Sequence, residues 1–158
     1  MEFETRRIEN AEALTDVFGR WPSFHDAEVH RIRLDRGLAG PPSLGADIHV
    51  FEMTPDVTRE GFYVLRHHTL VTLNFVGVDQ LDLGGFNQQN VLTGLVLRDI
   101  SARQLDVLNW EVEFDPSFGV GASFLCEHVA VLAAVPFDPQ QLPASPSGTQ
   151  SGARPNGG

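Results

Sequence analysis

The chain has 158 residues, 42% of them hydrophobic, with 21 acidic residues against 11 basic ones and a formal charge of −10. This length suits one domain with a core large enough to fold unaided, and the apolar content excludes disorder over the body of the chain. A pI near 4.8 argues against nucleic acid and anionic membranes as partners, since surplus Arg and Lys hold both, and suits a basic partner or plain solubility.

The opening residues Met1–Arg7 carry no apolar stretch, so no secretory signal is expected. No window approaches the roughly 20 apolar residues of a membrane span, and the expected location is the cytoplasm. Ala13, Leu14, Val17 and Phe18 recur at helical spacing and predict a helix over Ala11–Phe18. Asn10 stands where a cap is wanted, and Gly19 follows as a stop. Trp21-Pro22 prevents continuation, because proline disfavours helix at the residue before it.

From Ala27 the pattern changes to period two. Glu28–Asp35 reads as a strand with Ile32 and Leu34 on one face and Arg31 and Arg33 on the other. Ala46–Met53 is a second strand, beyond a loop marked by Pro41, Pro42 and Gly45. Asp56–Arg66 has no clear period and reads as a loop or a short helical turn. His68–Val78 is rich in Val, Leu, Thr and Phe and reads as a central strand. Asp79–Leu83 is shorter and ends at Gly84-Gly85, and Val91–Ile100 follows as another strand. Leu108–Phe114 alternates, with Trp110, Val112 and Phe114 inward and Glu111, Glu113 and then Asp115 outward. Ser123–Val135 reads as one long final strand, apolar on both faces and therefore central.

About seven strands joined by short, turn-rich connections favour antiparallel pairing, and no helix pattern separates them as βαβ units would require. The expected fold is α+β: a curved, mostly antiparallel sheet with one N-terminal helix packed against it. Pro, Gly, Ser and Gln dominate Asp138–Gly158, which reads as a disordered tail beyond a domain of residues 1–137. Asp138 and Arg154 cancel, so all of the negative charge falls on that domain.

The densest cluster of chemically able residues is Trp21-Pro22-Ser23-Phe24-His25-Asp26-Ala27-Glu28. His25 beside Asp26 has the look of a catalytic or metal pair, but neighbours on an extended chain point to opposite faces. A structural role is favoured. Ser23 or Asp26 can hold backbone groups of the turn, His25 can donate to a carbonyl, and Trp21 and Phe24 can plug the end of the core. A small-molecule or enzymatic pocket near His25 and Asp26 is the alternative.

His67-His68, His30 and His49 raise the question of metal. Zinc needs three or four ligands on one point, alternation lets only one of His67 and His68 face it, and neither HExxH nor CxxC occurs. No metal and no cofactor are expected. Cys126, the one cysteine, lies in an apolar run and reads as a buried, inert thiol, with His128 its only local candidate base. Without a GxSxG elbow or a phosphate loop there is no enzyme signature. Glu111, Glu113 and Asp115 share one face, where a cationic partner would relieve their mutual repulsion.

Phe18-Gly19-Arg20-Trp21-Pro22, followed by Ser23 through Val29, resembles the opening motif of the immunity protein 50 family, small bacterial proteins of polymorphic toxin systems. Gly85-Phe86-Asn87-Gln88-Gln89-Asn90-Val91 resembles that family's Phe-x-x-Gln-Asn-Val signature, and Phe118 through Glu127 resembles its closing run. The resemblance spans roughly residues 8–136 and brings no catalytic residues with it. It implies that the chain binds and neutralises a cognate toxin, many such toxins being nucleases with basic clefts. The expected contacts are then Glu111, Glu113 and Asp115 by outward parity, and Gln88, Gln89 and Asn90 by loop position. Trp21, Pro22, Phe24, His25 and Asp26 are expected to shape the corner. Self-association through exposed strand edges is a third reading.

Overall fold

Alternating side chains drive eight segments into one open antiparallel sheet in the computed structural model, which describes residues 5–140. The elements are α1 (Glu12–Phe18), β1 (Glu28–Asp35), β2 (Ser43–Val57), β3 (Tyr63–Val76), β4 (Asp79–Gly84), β5 (Val91–Asp99), β6 (Trp110–Phe118), β7 (Gly121–Cys126) and β8 (His128–Pro136). Their order across the sheet is β4-β7-β6-β5-β1-β2-β3-β8. The expected tail lies outside the described residues from position 141 onward. No helix among the described residues is long and apolar enough to cross a membrane.

Period two places Leu44, Ala46, Ile48 and Val50 of β2, Val71, Leu73 and Phe75 of β3, and Trp110, Val112 and Phe114 of β6 in the core. The sheet curves until its two halves face each other. Phe75 meets Phe114 with ring centroids 6.0 Å apart and Phe124 of β7 at 5.1 Å. Cys126 is buried here, and burial, helped by the neighbouring Glu127 charge, pushes its thiol up to about 12, so it holds no thiolate at neutral pH.

The apolar run expected as one central strand, Ser123–Val135, is two strands. The chain turns at Glu127, with β7 pairing with β4 and β6 on one half and β8 with β3 on the other. The opposing chain turns at the same level. Gly77 has φ +74 and sits where a Cβ would overlap the Glu127 carboxylate, while the Glu127 N–H donates to the Val76 carbonyl at 2.8 Å. This corner raises the strand number from seven to eight. It also puts β8 at an edge. Residues 8–10 cover that edge: Glu9 N–H donates to Val129 O and Val131 N–H to Glu9 O, while the Asn10 amide donates to Val131 O at 2.9 Å. Asn10 therefore ties the chain to β8 rather than capping α1, whose N-cap is Ala11 with no side-chain bond. Gly19 ends the helix in the left-handed conformation, as its position suggests.

Asp56–Arg66 also departs from expectation. β2 continues through Val57 and β3 begins at Tyr63, so most of the segment is strand, not loop or helix. By contrast, β1 and β5 share a single pair, Glu28 with Val91. Three hydrogen bonds extend that seam: Val29 N–H to Asn90 O at 2.8 Å, Leu92 N–H to Ala27 O at 2.9 Å, and Asp26 N–H to Leu92 O at 2.9 Å.

Candidate functional site

The corner between α1 and β1 is held in an unusual backbone. Phe24 and Asp26 have φ of 60° and 62°, a left-handed conformation that costs a residue with a Cβ about 1–2 kcal/mol. Phe24 is buried, its ring 5.8 Å from that of Trp21, and Pro22 is buried beside it. The His25 N–H donates to Ser23 Oγ at 3.2 Å, and His25 Nδ1 meets the Thr93 carbonyl at 3.0 Å, so that nitrogen carries the proton. Asp26 Oδ2 lies 3.6 Å from His25 Nε2, and both side chains stand in solvent. A groove of about 730 Å³ runs nearby, walled by Phe18 through Ser23 and by Phe51, Glu52 and Met53. His25 and Asp26 are not among its walls, so the pair does not converge on that space.

The Gly85–Asn90 loop is organised from inside. Asn90 is 4% exposed. Its Oδ1 accepts from Asn87 N–H at 2.9 Å and Val120 N–H at 3.1 Å, and its Nδ2 donates to Asn87 O at 2.7 Å. Loop position predicts Asn90 at the surface; it lies instead beneath the loop and shapes it. Gln88 and Gln89 are exposed above it. Gly119, at φ +77, closes on this loop so tightly that a Cβ would strike the Gln89 carbonyl.

Glu111, Glu113 and Asp115 point outward from β6, and the register extends their face across β7 to β4. Asp82 pairs with Ser123 and Ser123 with Glu113, while Asp79 pairs with Leu125 and Leu125 with Glu111. Arg98 on β5 donates to Glu111 at 2.9 Å and lies 3.7 Å from Glu113, and Arg103 lies 3.6 Å from Glu111. Two arginines thus serve a face that carries Asp79, Asp82, Glu111, Glu113 and Asp115. On the other half of the sheet the best-paired acid is Asp47. It accepts from both guanidinium nitrogens of Arg33 at 2.9 Å and from Thr72 at 3.0 Å, which holds its carboxyl below the usual carboxylate range.

His30, His49 and His68 stand in a row across β1, β2 and β3. His49 Nε2 and His68 Nδ1 share a hydrogen bond of 2.8 Å, and the His49 ring lies 6.1 Å from His30 and 4.6 Å from Phe137. Among the described residues no group of three or more His, Cys, Asp or Glu is placed to hold a metal ion. Burial first, then the neighbouring His68 and His30, pushes His49 down to about 4 from 6.5. Its neutral form is the folded form. The stability this contributes is present above pH 6.5 and lost as the pH falls toward 4. With solvent screening allowed for, the loss is about 1–2 kcal/mol. His49→Gln should flatten the stability profile over that window, as measured by urea midpoints at stepped pH.

One surface had no sequence signal beyond its apolar content. The far ends of β2 and β3 project as a two-stranded arm bearing Met53, Val57, Phe62, Tyr63, Val64 and Leu65, all exposed. Apart from Thr54 the strand residues of the arm between positions 53 and 66 are exposed whichever way they point, so there is no period to detect.

No curated protein and no solved structure matches the chain. The profile of immunity protein 50 matches residues 10–137, from just ahead of α1 to just past β8. That match takes in the corner, the Asn90 loop and the acidic face together, and the chain belongs to the immunity protein 50 family.

Proposed function

We propose that this chain is the immunity partner of a bacterial toxin in the cytoplasm of the producing cell, and that it silences the toxin by stoichiometric binding with no chemistry of its own. The observation that carries the reading is the outer face of β4, β7 and β6, where five carboxylates meet two arginines, whereas on the other half Asp47 alone lies within reach of two, Arg31 and Arg33. Such a face draws a basic protein, as a nuclease with a cationic cleft would be, and speeds its encounter. Glu113 and Asp115, with Asp82 beside them, are the leading contacts. Glu111 is already engaged by arginine, and Gln88 and Gln89 offer uncharged hydrogen bonds from the neighbouring loop.

The reading expects a toxin domain encoded immediately upstream of this gene, and the test is association kinetics with that domain. Reversing charge at Asp82, Glu113 and Asp115 together should slow association about 10- to 100-fold at low ionic strength, with the difference shrinking as salt is added. An unchanged rate and salt dependence would move the contact surface elsewhere. A wild-type chain that neither binds nor protects against that toxin would end the immunity reading itself.

A further inference from the structure

We infer that the projecting ends of β2 and β3 form an apolar docking arm that seats in a cleft of the same basic toxin, anchoring a complex that the acidic face has steered together. The inference rests on the immunity reading and adds the element that holds the partner.

The register leaves the arm without a third strand on either side. β1 pairs with β2 only from Ser43 to His49, and β8 pairs with β3 only from Thr69 to Val76. Beyond those limits β2 and β3 pair with each other alone, through Glu52 with Arg66, Met53 with Leu65 and Val57 with Tyr63. A bare two-stranded ribbon is marginal in water. This one is nonetheless braced. Arg66 donates to both carboxylate oxygens of Glu52 at 3.2 and 3.1 Å, and Thr54 donates to the Val64 carbonyl at 2.7 Å. At the tip, the Thr58 N–H donates to Phe62 O at 2.7 Å and the Phe62 N–H to Thr58 Oγ1 at 3.2 Å.

The arm is therefore shaped in advance yet covered with the wrong residues for solvent. Phe62 is 71% exposed and Tyr63, the chain's one tyrosine, 57%. Met53 and Val57 are exposed beside them. A contiguous exposed apolar surface of this kind marks a place of contact. Phe, Tyr and Met are the residues concentrated at the centres of protein interfaces, and a preorganised element loses little entropy on docking. At the arm's root the groove walled by Phe18, Trp21, Phe51 and Met53 continues the apolar surface into the body.

Charge selects the occupant. A second copy would bring another −10 against this one, whereas a basic toxin is attracted by the same charge. On the arm itself Glu52 and Arg66 cancel, and Asp56, Arg59 and Glu60 together leave a single negative charge, so apolar contact is its main contribution. The division of labour is thus kinetic: acids govern association and the arm governs dissociation.

The experiment uses the full chain and the toxin domain that the immunity reading expects immediately upstream. The Phe62→Ser/Tyr63→Ser double variant should weaken binding at least 100-fold, mainly by faster dissociation, with the melting temperature held, because both side chains stand in solvent. If that variant fails to fold, Val57→Ser with Met53→Ser carries the same test. Wild-type affinity in a folded arm variant would overturn the arm while leaving the immunity reading intact. Absence of toxin binding by the wild-type chain would overturn both. A wild-type dimer in light scattering that the arm variant converts to monomer would make a second copy the occupant and overturn the inference.

Discussion

Asn90→Ala is expected to destabilise the fold by about 3 kcal/mol, a large loss for one polar side chain. The amide serves three backbone groups at once: it accepts from Asn87 N–H and Val120 N–H and donates to Asn87 O. At 4% exposure the groups left behind have little access to water. Each buried orphan costs about 1–3 kcal/mol, and partial relaxation of the loop keeps the total below their sum. Asn90→Asp keeps both acceptances but buries a charge and sets a carboxylate oxygen against the Asn87 carbonyl where the amide donated, so at neutral pH it should be no more stable than the alanine variant. Urea midpoints measure the ranking. Hydrogen exchange should add location: the Val29 amide, bonded to the Asn90 carbonyl, should lose protection in the alanine variant ahead of amides in β2. Equal stability of Asn90→Ala and wild type would mean that the loop is not held from within.

That amide matters because of where it sits. The segments that carry the family resemblance, Phe18 through Val29 and Gly85 through Val91, are far apart in sequence and meet at the β1–β5 seam. There the sheet's two halves share one residue pair and the three hydrogen bonds of Asp26, Val29 and Leu92. The left-handed corner at Phe24 and Asp26 aims the chain into the seam from one side, and Asn90 shapes the loop that enters from the other. The residues that stand out as a motif thus mark the joint at which two four-stranded halves become one sheet. The surfaces suited to a partner, the acidic face and the arm, lie outside it.

What could be read from sequence follows the same physics. β6 was legible because it has one face in the core and one in solvent, so Trp110, Val112 and Phe114 alternate with Glu111 and Glu113. α1 was legible because Leu14 and its neighbours face one way and Gly19 stops the chain. The arm was not, since apart from Thr54 its strand residues between positions 53 and 66 are exposed whichever way they point, which leaves no alternation. The corner at Glu127 was hidden inside an unbroken apolar run, and the room for its carboxylate comes from Gly77 on a different part of the chain. Asn90 reads like Gln88 and Gln89 as a polar loop residue; only the position of Val120, a long way along the chain, turns it inward. The acids Glu111 and Glu113 looked unpaired because Arg98 reaches them across a strand pair.

Phe24→Ala should be the most damaging single change at the corner, at about 3–5 kcal/mol. The ring is 1% exposed and packs on Trp21, so its loss leaves a cavity as well as forfeiting burial. The backbone adds a second signature. At φ 60° alanine keeps the left-handed strain that phenylalanine bears, whereas glycine relieves about 1 kcal/mol of it while losing the same ring. Phe24→Gly should therefore be the more stable of the two truncations, reversing the order found where a side chain sits in ordinary helix or strand. Chemical denaturation of both variants decides it, and a Phe24→Ala protein more stable than Phe24→Gly would show that the corner imposes no such constraint. Because the ring is buried and lines neither the acidic face nor the groove at the arm's root, the folded fraction of either variant should bind toxin with wild-type affinity. Protection in cells should then fall only as far as the folded population falls, which separates a residue that builds this protein from one that meets its partner.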